Sequence, residues 1–138
     1  MRLALAGLLI ATSTVAIAQE VPLGRLPGDV KPNAYRIDLT VDPAKADYAG
    51  HVEIDAVVAK PTRTVFLHGL GLKMGKAAVK VGGKTVPARY SEVDPSGVAR
   101  VDVDAPLPAG KVTLSFDYTT GFRTGAEGLF RAKVGQDW

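Results

Sequence analysis

The stretch Val112-Thr113-Leu114-Ser115-Phe116-Asp117-Tyr118-Thr119 decides the fold. Apolar side chains take every second position and polar ones fill the gaps. Successive side chains of an extended strand point to opposite faces. The pattern therefore turns Val112, Leu114, Phe116 and Tyr118 towards a core and leaves the rest in water. The same period recurs upstream. Tyr35, Ile37, Leu39 and Val41 alternate with Arg36, Asp38, Thr40 and Asp42. Val52, Ile54, Ala56 and Val58 stand opposite Glu53 and Asp55, and Ala99, Val101 and Val103 opposite Arg100, Asp102 and Asp104.

Turn chemistry separates these runs. Asp42-Pro43 ends the first, and the chain returns after Asp47. Gly82-Gly83 divides Ala77–Val81 from Lys84–Tyr90 and predicts a tight hairpin, because glycine accepts positive φ without a steric penalty. Asp94-Pro95-Ser96-Gly97 predicts a turn before Val98, and Pro106, Pro108 and Gly110 break the chain before the last strand. No segment carries a capped helical stripe. About seven strands with short turns predict an all-β fold, an antiparallel sandwich or barrel. The tail from Gly121 to Trp138 is less regular and carries Arg123, Arg131 and Lys133.

Composition narrows the class. The chain has 138 residues, 46% hydrophobic and 22% charged, with no Cys and a formal net charge of +3. That balance does not describe a disordered chain. The basic residues are scattered, so the sequence gives no nucleic-acid partner. Without Cys there is no disulfide, thiolate metal site or Cys nucleophile.

Residues 1–18 read as a secretory signal peptide. Arg2 is followed by the apolar run Leu3–Ile10, and Ala16-Ile17-Ala18 is a small-x-small cleavage site before Gln19. Thr12, Ser13 and Thr14 interrupt the run, which is short of the roughly 20 apolar residues a span needs, so no stable membrane anchor is expected. The remaining domain is residues 19–138, and the expected location is periplasmic or secreted.

Candidate chemistry is sparse. His51 and Glu53 share a strand face and could form one edge of a metal site, with His68 at the end of Thr64–His68 as a further ligand. The bland alternative is a solvated polar face. His-x-Glu also occurs in zinc deaminases, but their Pro-Cys-x-x-Cys partner is missing. Gly69-Leu70-Gly71-Leu72-Lys73-Met74-Gly75 places its third glycine one residue late for a dinucleotide fingerprint. Gly83-Lys84-Thr85 resembles a phosphate loop, but Ala78 stands where that loop needs glycine. Ser91, Ser96 and Ser115 lie at a strand end, a turn and a solvent face, and none sits in a nucleophile elbow. Asp102 and Asp104 could bind Ca²⁺ or work as an acid–base pair, although an exposed face accounts for them equally. No catalytic, cofactor-binding or metal residue is assigned.

A more specific pattern runs from Leu26-Pro27 through Val30-Lys31-Pro32-Asn33-Ala34-Tyr35 to Asp42-Pro43. It continues with Tyr48-Ala49-Gly50-His51-Val52 and Val65-Phe66-Leu67-His68, then Phe116-Asp117-Tyr118 and Gly128-Leu129-Phe130-Arg131. This order and spacing resemble the N-terminal domain of the aminopeptidase N family of zinc exopeptidases, over about residues 25–138. The resemblance implies a saddle-like β-domain, incomplete here, that packs on a catalytic domain of the same polypeptide. Peptide substrates would meet that domain. Zinc would be held there by a His-Glu-x-x-His motif, which this sequence lacks, as it lacks Gly-x-Met-Glu-Asn. The chain reaches Trp138 just before the family's Thr-Gln amine-binding segment would be expected. No family site residue carries over, and the chain alone is expected to be inactive. The alternative is a freestanding exported sandwich that binds a peptide or protein. A closed module would bury its apolar faces, whereas a domain awaiting a partner would expose an apolar patch or a free edge.

Overall fold

Period-two alternation and glycine turns give strands that pair with one another. The computed structural model describes residues 20–126, 128–132 and 135. The leader expected at residues 1–18 lies outside them, as do Lys133 and Trp138. Eight strands follow in order: β1 Val30–Thr40, β2 Asp47–Val58, β3 Thr62–His68, β4 Lys73–Val81, β5 Lys84–Pro87, β6 Arg89–Glu92, β7 Val98–Leu107 and β8 Gly110–Gly121. They form two sheets, ordered β1-β2-β8-β4-β5 and β3-β7-β6. Every neighbouring pair is antiparallel. The all-β antiparallel architecture read from the alternation is thus present. Among the described residues, no helix is long and apolar enough to cross a membrane.

The core lies between the sheets. Val112, Leu114 and Phe116 of β8 pack with Ala56 and Val58 of β2 and Val79 of β4 on one side. Val65 of β3 and Val101, Val103 and Leu107 of β7 meet them from the other. The central position of β8, between β2 and β4, explains why its alternation is the cleanest in the chain. Two predicted turns close as expected. Gly82 and Gly83 have φ of 55° and 78°, the two positive values a type I′ hairpin demands. The Gly97 amide donates to the Asp94 carbonyl at 2.9 Å, and the Ser96 amide to Asp94 Oδ1 at 2.9 Å.

Four details differ from the sequence reading. Lys84–Tyr90 is two strands in two sheets. β5 ends at Pro87, which has no amide to donate, and the Ala88 amide still reaches the Ala77 carbonyl at 2.9 Å. From Arg89 the chain pairs with β7 instead. β4 begins at Lys73, inside the glycine-rich run, with a bulge between Met74 and Lys76. Pro106 does not break β7, which continues to the buried Leu107; a proline fits where no ladder amide is needed. Most consequentially, Tyr35, Ile37 and Leu39 are not buried. They are 58%, 59% and 48% exposed. A three-stranded sheet faces a five-stranded one, and it does not reach over the apolar side of β1.

Candidate functional site

The mismatch between the sheets opens the sandwich on one side. Among the described residues, β1 is a free edge of the larger sheet and β3 a free edge of the smaller. Between them runs a groove of about 520 Å³. Leu26 and Pro27 stand at one end, Tyr35 and Ile54 form the floor, and Leu67 and His68 the opposite wall. A second hollow of about 240 Å³ extends it past Ile37, Val52, Leu72 and Tyr118. Ile54 and Leu67 pack against the core but are only partly buried. A surface of this kind is typical of a protein-docking site.

The opposite, outer face of the large sheet is polar and internally paired. Arg36 Nε donates to Glu53 Oε2 at 2.9 Å, and its Nη1 and Nη2 donate to Asp55 at 2.9 and 3.2 Å. Thr113 Oγ1 donates to Asp55 Oδ1 at 2.7 Å. The bonds from Arg36, then Thr113, hold the Asp55 carboxyl below its ordinary value of 3.8. The same carboxylates push the Arg36 guanidinium further up. One residue pair along, His51 Nδ1 lies 2.5 Å from Asp117 Oδ1.

The sequence candidates therefore scatter. His51 and Glu53 do share a face, but each has its own partner, Asp117 and Arg36. His68 lines the groove on the other sheet. Among the described residues, no group of three or more His, Asp or Glu side chains could hold a metal ion. These residues do not fit a zinc site. Asp102 accepts hydrogen bonds from Thr64 Oγ1 and Arg100 Nε, both at 2.8 Å, and Asp104 pairs with Arg89 at 2.6 Å. Asp104 raises the Arg89 guanidinium in turn. Gly69 is a contact point: Tyr90 Oη donates to its carbonyl at 2.6 Å. Gly83-Lys84 belongs to the β4–β5 hairpin. Ser115 stands across the ladder from Glu53.

Sequence reading missed how the tail is held. The Phe122 ring lies 5.2 Å from Tyr48, and the Arg131 guanidinium lies 4.2 Å over the same ring. The Arg123 amide donates to the Leu129 carbonyl at 3.1 Å, and the Arg131 amide to the Arg123 carbonyl at 3.0 Å. Arg123 Nη2 donates to the Leu70 carbonyl at 3.2 Å. The signal lay in an aromatic and two arginines around Gly128, whose φ is 63°. No periodicity test responds to such an arrangement.

Residues 31–137, from β1 through β8 and this tail, match the model of the Peptidase M1 N-terminal domain. The chain belongs to that family. Two curated relatives of this M1 N-terminal domain are Aminopeptidase M1-C and Aminopeptidase M1-D of Oryza sativa subsp. japonica. Each is 25% identical over 109 residues, which cover 79% of this chain and 12% of the rice protein. The chain thus spans a small part of the length of the relatives it matches. The family landmarks have architectural roles in the M1 N-terminal domain. A side chain at Gly50 would run into the Tyr118 ring, and Tyr35 paves the groove.

Proposed function

We propose that this M1 N-terminal domain is the non-catalytic β-domain of an exported zinc aminopeptidase, an enzyme that removes N-terminal residues from peptides. Its task is to dock on the catalytic part of the same polypeptide and help enclose the peptide. The observation that carries this reading is the uncovered apolar row Tyr35, Ile37 and Leu39 beside the groove, in a chain of this family. A freestanding module would bury such a row. Zinc and the general base belong to the catalytic part, where the metal activates water and polarises the scissile carbonyl. The leader-like residues 1–18 support export.

The 138-residue chain is expected to give no zinc-dependent turnover of aminoacyl anilides. It is expected to bind a catalytic part of an M1 aminopeptidase supplied in trans, and Ile37→Lys is expected to weaken that binding. Zinc-dependent release of the anilide by the chain alone would overturn the assignment. So would equal binding by the Ile37→Lys variant.

A further inference from the structure

The two sheets have four edges, and three are blunted. β5 and β6 are four residues long, and β3 carries a bulge between Thr62 and Thr64. Short strands, prolines and bulges discourage another strand from adding. β1 differs. Past a bulge at Pro32, it keeps an unbroken register with β2 from Ala34 to Thr40, and among the described residues no strand pairs with its other edge. Asp38, midway along, is exposed and forms no ion pair among the described residues.

We infer that β1 pairs antiparallel with β1 of a second copy of this chain, with Ile37 opposite Ile37 on the two-fold axis. The strand is self-complementary about that residue. Each Arg36 then stands opposite Asp38 of the other copy; its guanidinium is already held by Glu53 and Asp55, so the carboxylate gains a partial charge match through the remaining N–H groups. Each Tyr35 stands opposite Leu39, an aromatic–aliphatic cross-strand pair. A shift by one residue would put apolar against polar side chains and lose both charge matches. The larger sheets join into one, and the two exposed apolar rows become continuous. This pairing uses the edge of β1, whereas the docking proposed above uses its face. The two readings stand or fall separately. A single strand pair is a small interface, below the roughly 1,200 Å² of standard complexes, so the dimer is weak and concentration-dependent.

The chain has no cysteine, so single introduced cysteines report the register directly. Directly opposed residues of antiparallel strands lie about 4.5 or 5.5 Å apart at Cα, within disulfide reach. Two copies of residue 39 would be about 14 Å apart. Under mild oxidation Ile37→Cys should cross-link to itself. Leu39→Cys should cross-link only when mixed with Tyr35→Cys. By sedimentation equilibrium the unmodified chain should dimerise, and Asp38→Lys, which sets a lysine against Arg36, should weaken the dimer about tenfold. Its circular dichroism should match the parent. A monomer at every concentration, self-cross-linking of Leu39→Cys as efficient as that of Ile37→Cys, or a folded Asp38→Lys with unchanged association would each overturn the pairing.

Discussion

Arg36 on the edge strand and Asp55 on its neighbour share two hydrogen bonds, 2.9 and 3.2 Å long, across the outer face of the larger sheet. The fork geometry fixes both side chains, and Thr113 on β8 grips the same carboxylate. Three strands are thus tied at one point on the polar face, on the side of the sheet away from the core. The folded state holds Asp55 below its ordinary value of 3.8. A depressed carboxylate contributes stability above its unfolded value and loses it as pH falls through the folded one. The thermal midpoint should therefore drop on acidification below about pH 4. Asp55→Asn should lower the midpoint at neutral pH and flatten this acid limb. Midpoints by circular dichroism between pH 7 and pH 2 test it; an acid limb of unchanged steepness in the variant would refute the assignment.

Ile37 and Leu114 have the same kind of place in the same kind of alternation, yet one is exposed and the other buried. Leu114→Ala removes methyl groups from a packed core and should cost about 2–5 kcal/mol. Ile37→Ala should change stability by no more than about 0.5 kcal/mol. Urea unfolding of the two variants measures the difference. A comparable loss at Ile37 would mean that something covers β1 in solution.

Gly50 is buried in β2, where an added methyl would meet the tip of the Tyr118 ring. Gly50→Ala should destabilise by about 1–3 kcal/mol, the usual range for overpacking. Removing the obstacle should restore part of the loss. The double variant Gly50→Ala, Tyr118→Ala should then show a favourable coupling relative to the sum of the singles. Additive losses in a double-mutant cycle would show that the glycine is needed for another reason.

Legibility followed the range of the interaction. The faces of β8 could be read because period two is local, and the Gly82-Gly83 and Asp94–Gly97 turns because their dihedrals are set by the residues themselves. Alternation shows that a strand has an apolar side, not that another sheet lies over it. The exposure of Tyr35 and Ile37 depends on how many strands the opposite sheet contributes. The change of sheet at Ala88 was equally hidden, since it depends on Arg89 finding Asp102 as a ladder partner. The family landmarks were legible as a pattern. The groove they help to build became visible only when β1 and β3 were placed as edges of different sheets. His51 and Glu53 show the converse: their shared face was read correctly, but the partners that occupy them come from β8 and β1.

Tyr90 joins the core to the loop that leads into β4. Its ring meets Phe116 edge-on, with centroids 6.2 Å apart, while its hydroxyl donates to the Gly69 carbonyl at 2.6 Å. Burial, and to a lesser extent Glu92, raise its phenol above the ordinary value of 10. The unfolded chain therefore releases this proton at lower pH than the folded one, and stability falls as pH rises above about 10. Tyr90→Phe keeps the ring and removes both the donor and the titration. At neutral pH it should cost about 0.5–1.5 kcal/mol, the net worth of one hydrogen bond, plus any penalty for an unsatisfied Gly69 carbonyl. Between pH 9 and pH 11 the variant should lose less stability than the parent, so the two curves should converge. Urea midpoints across that interval decide the matter. Parallel curves would show that Tyr90 is not the group whose ionisation opens the alkaline side of the domain.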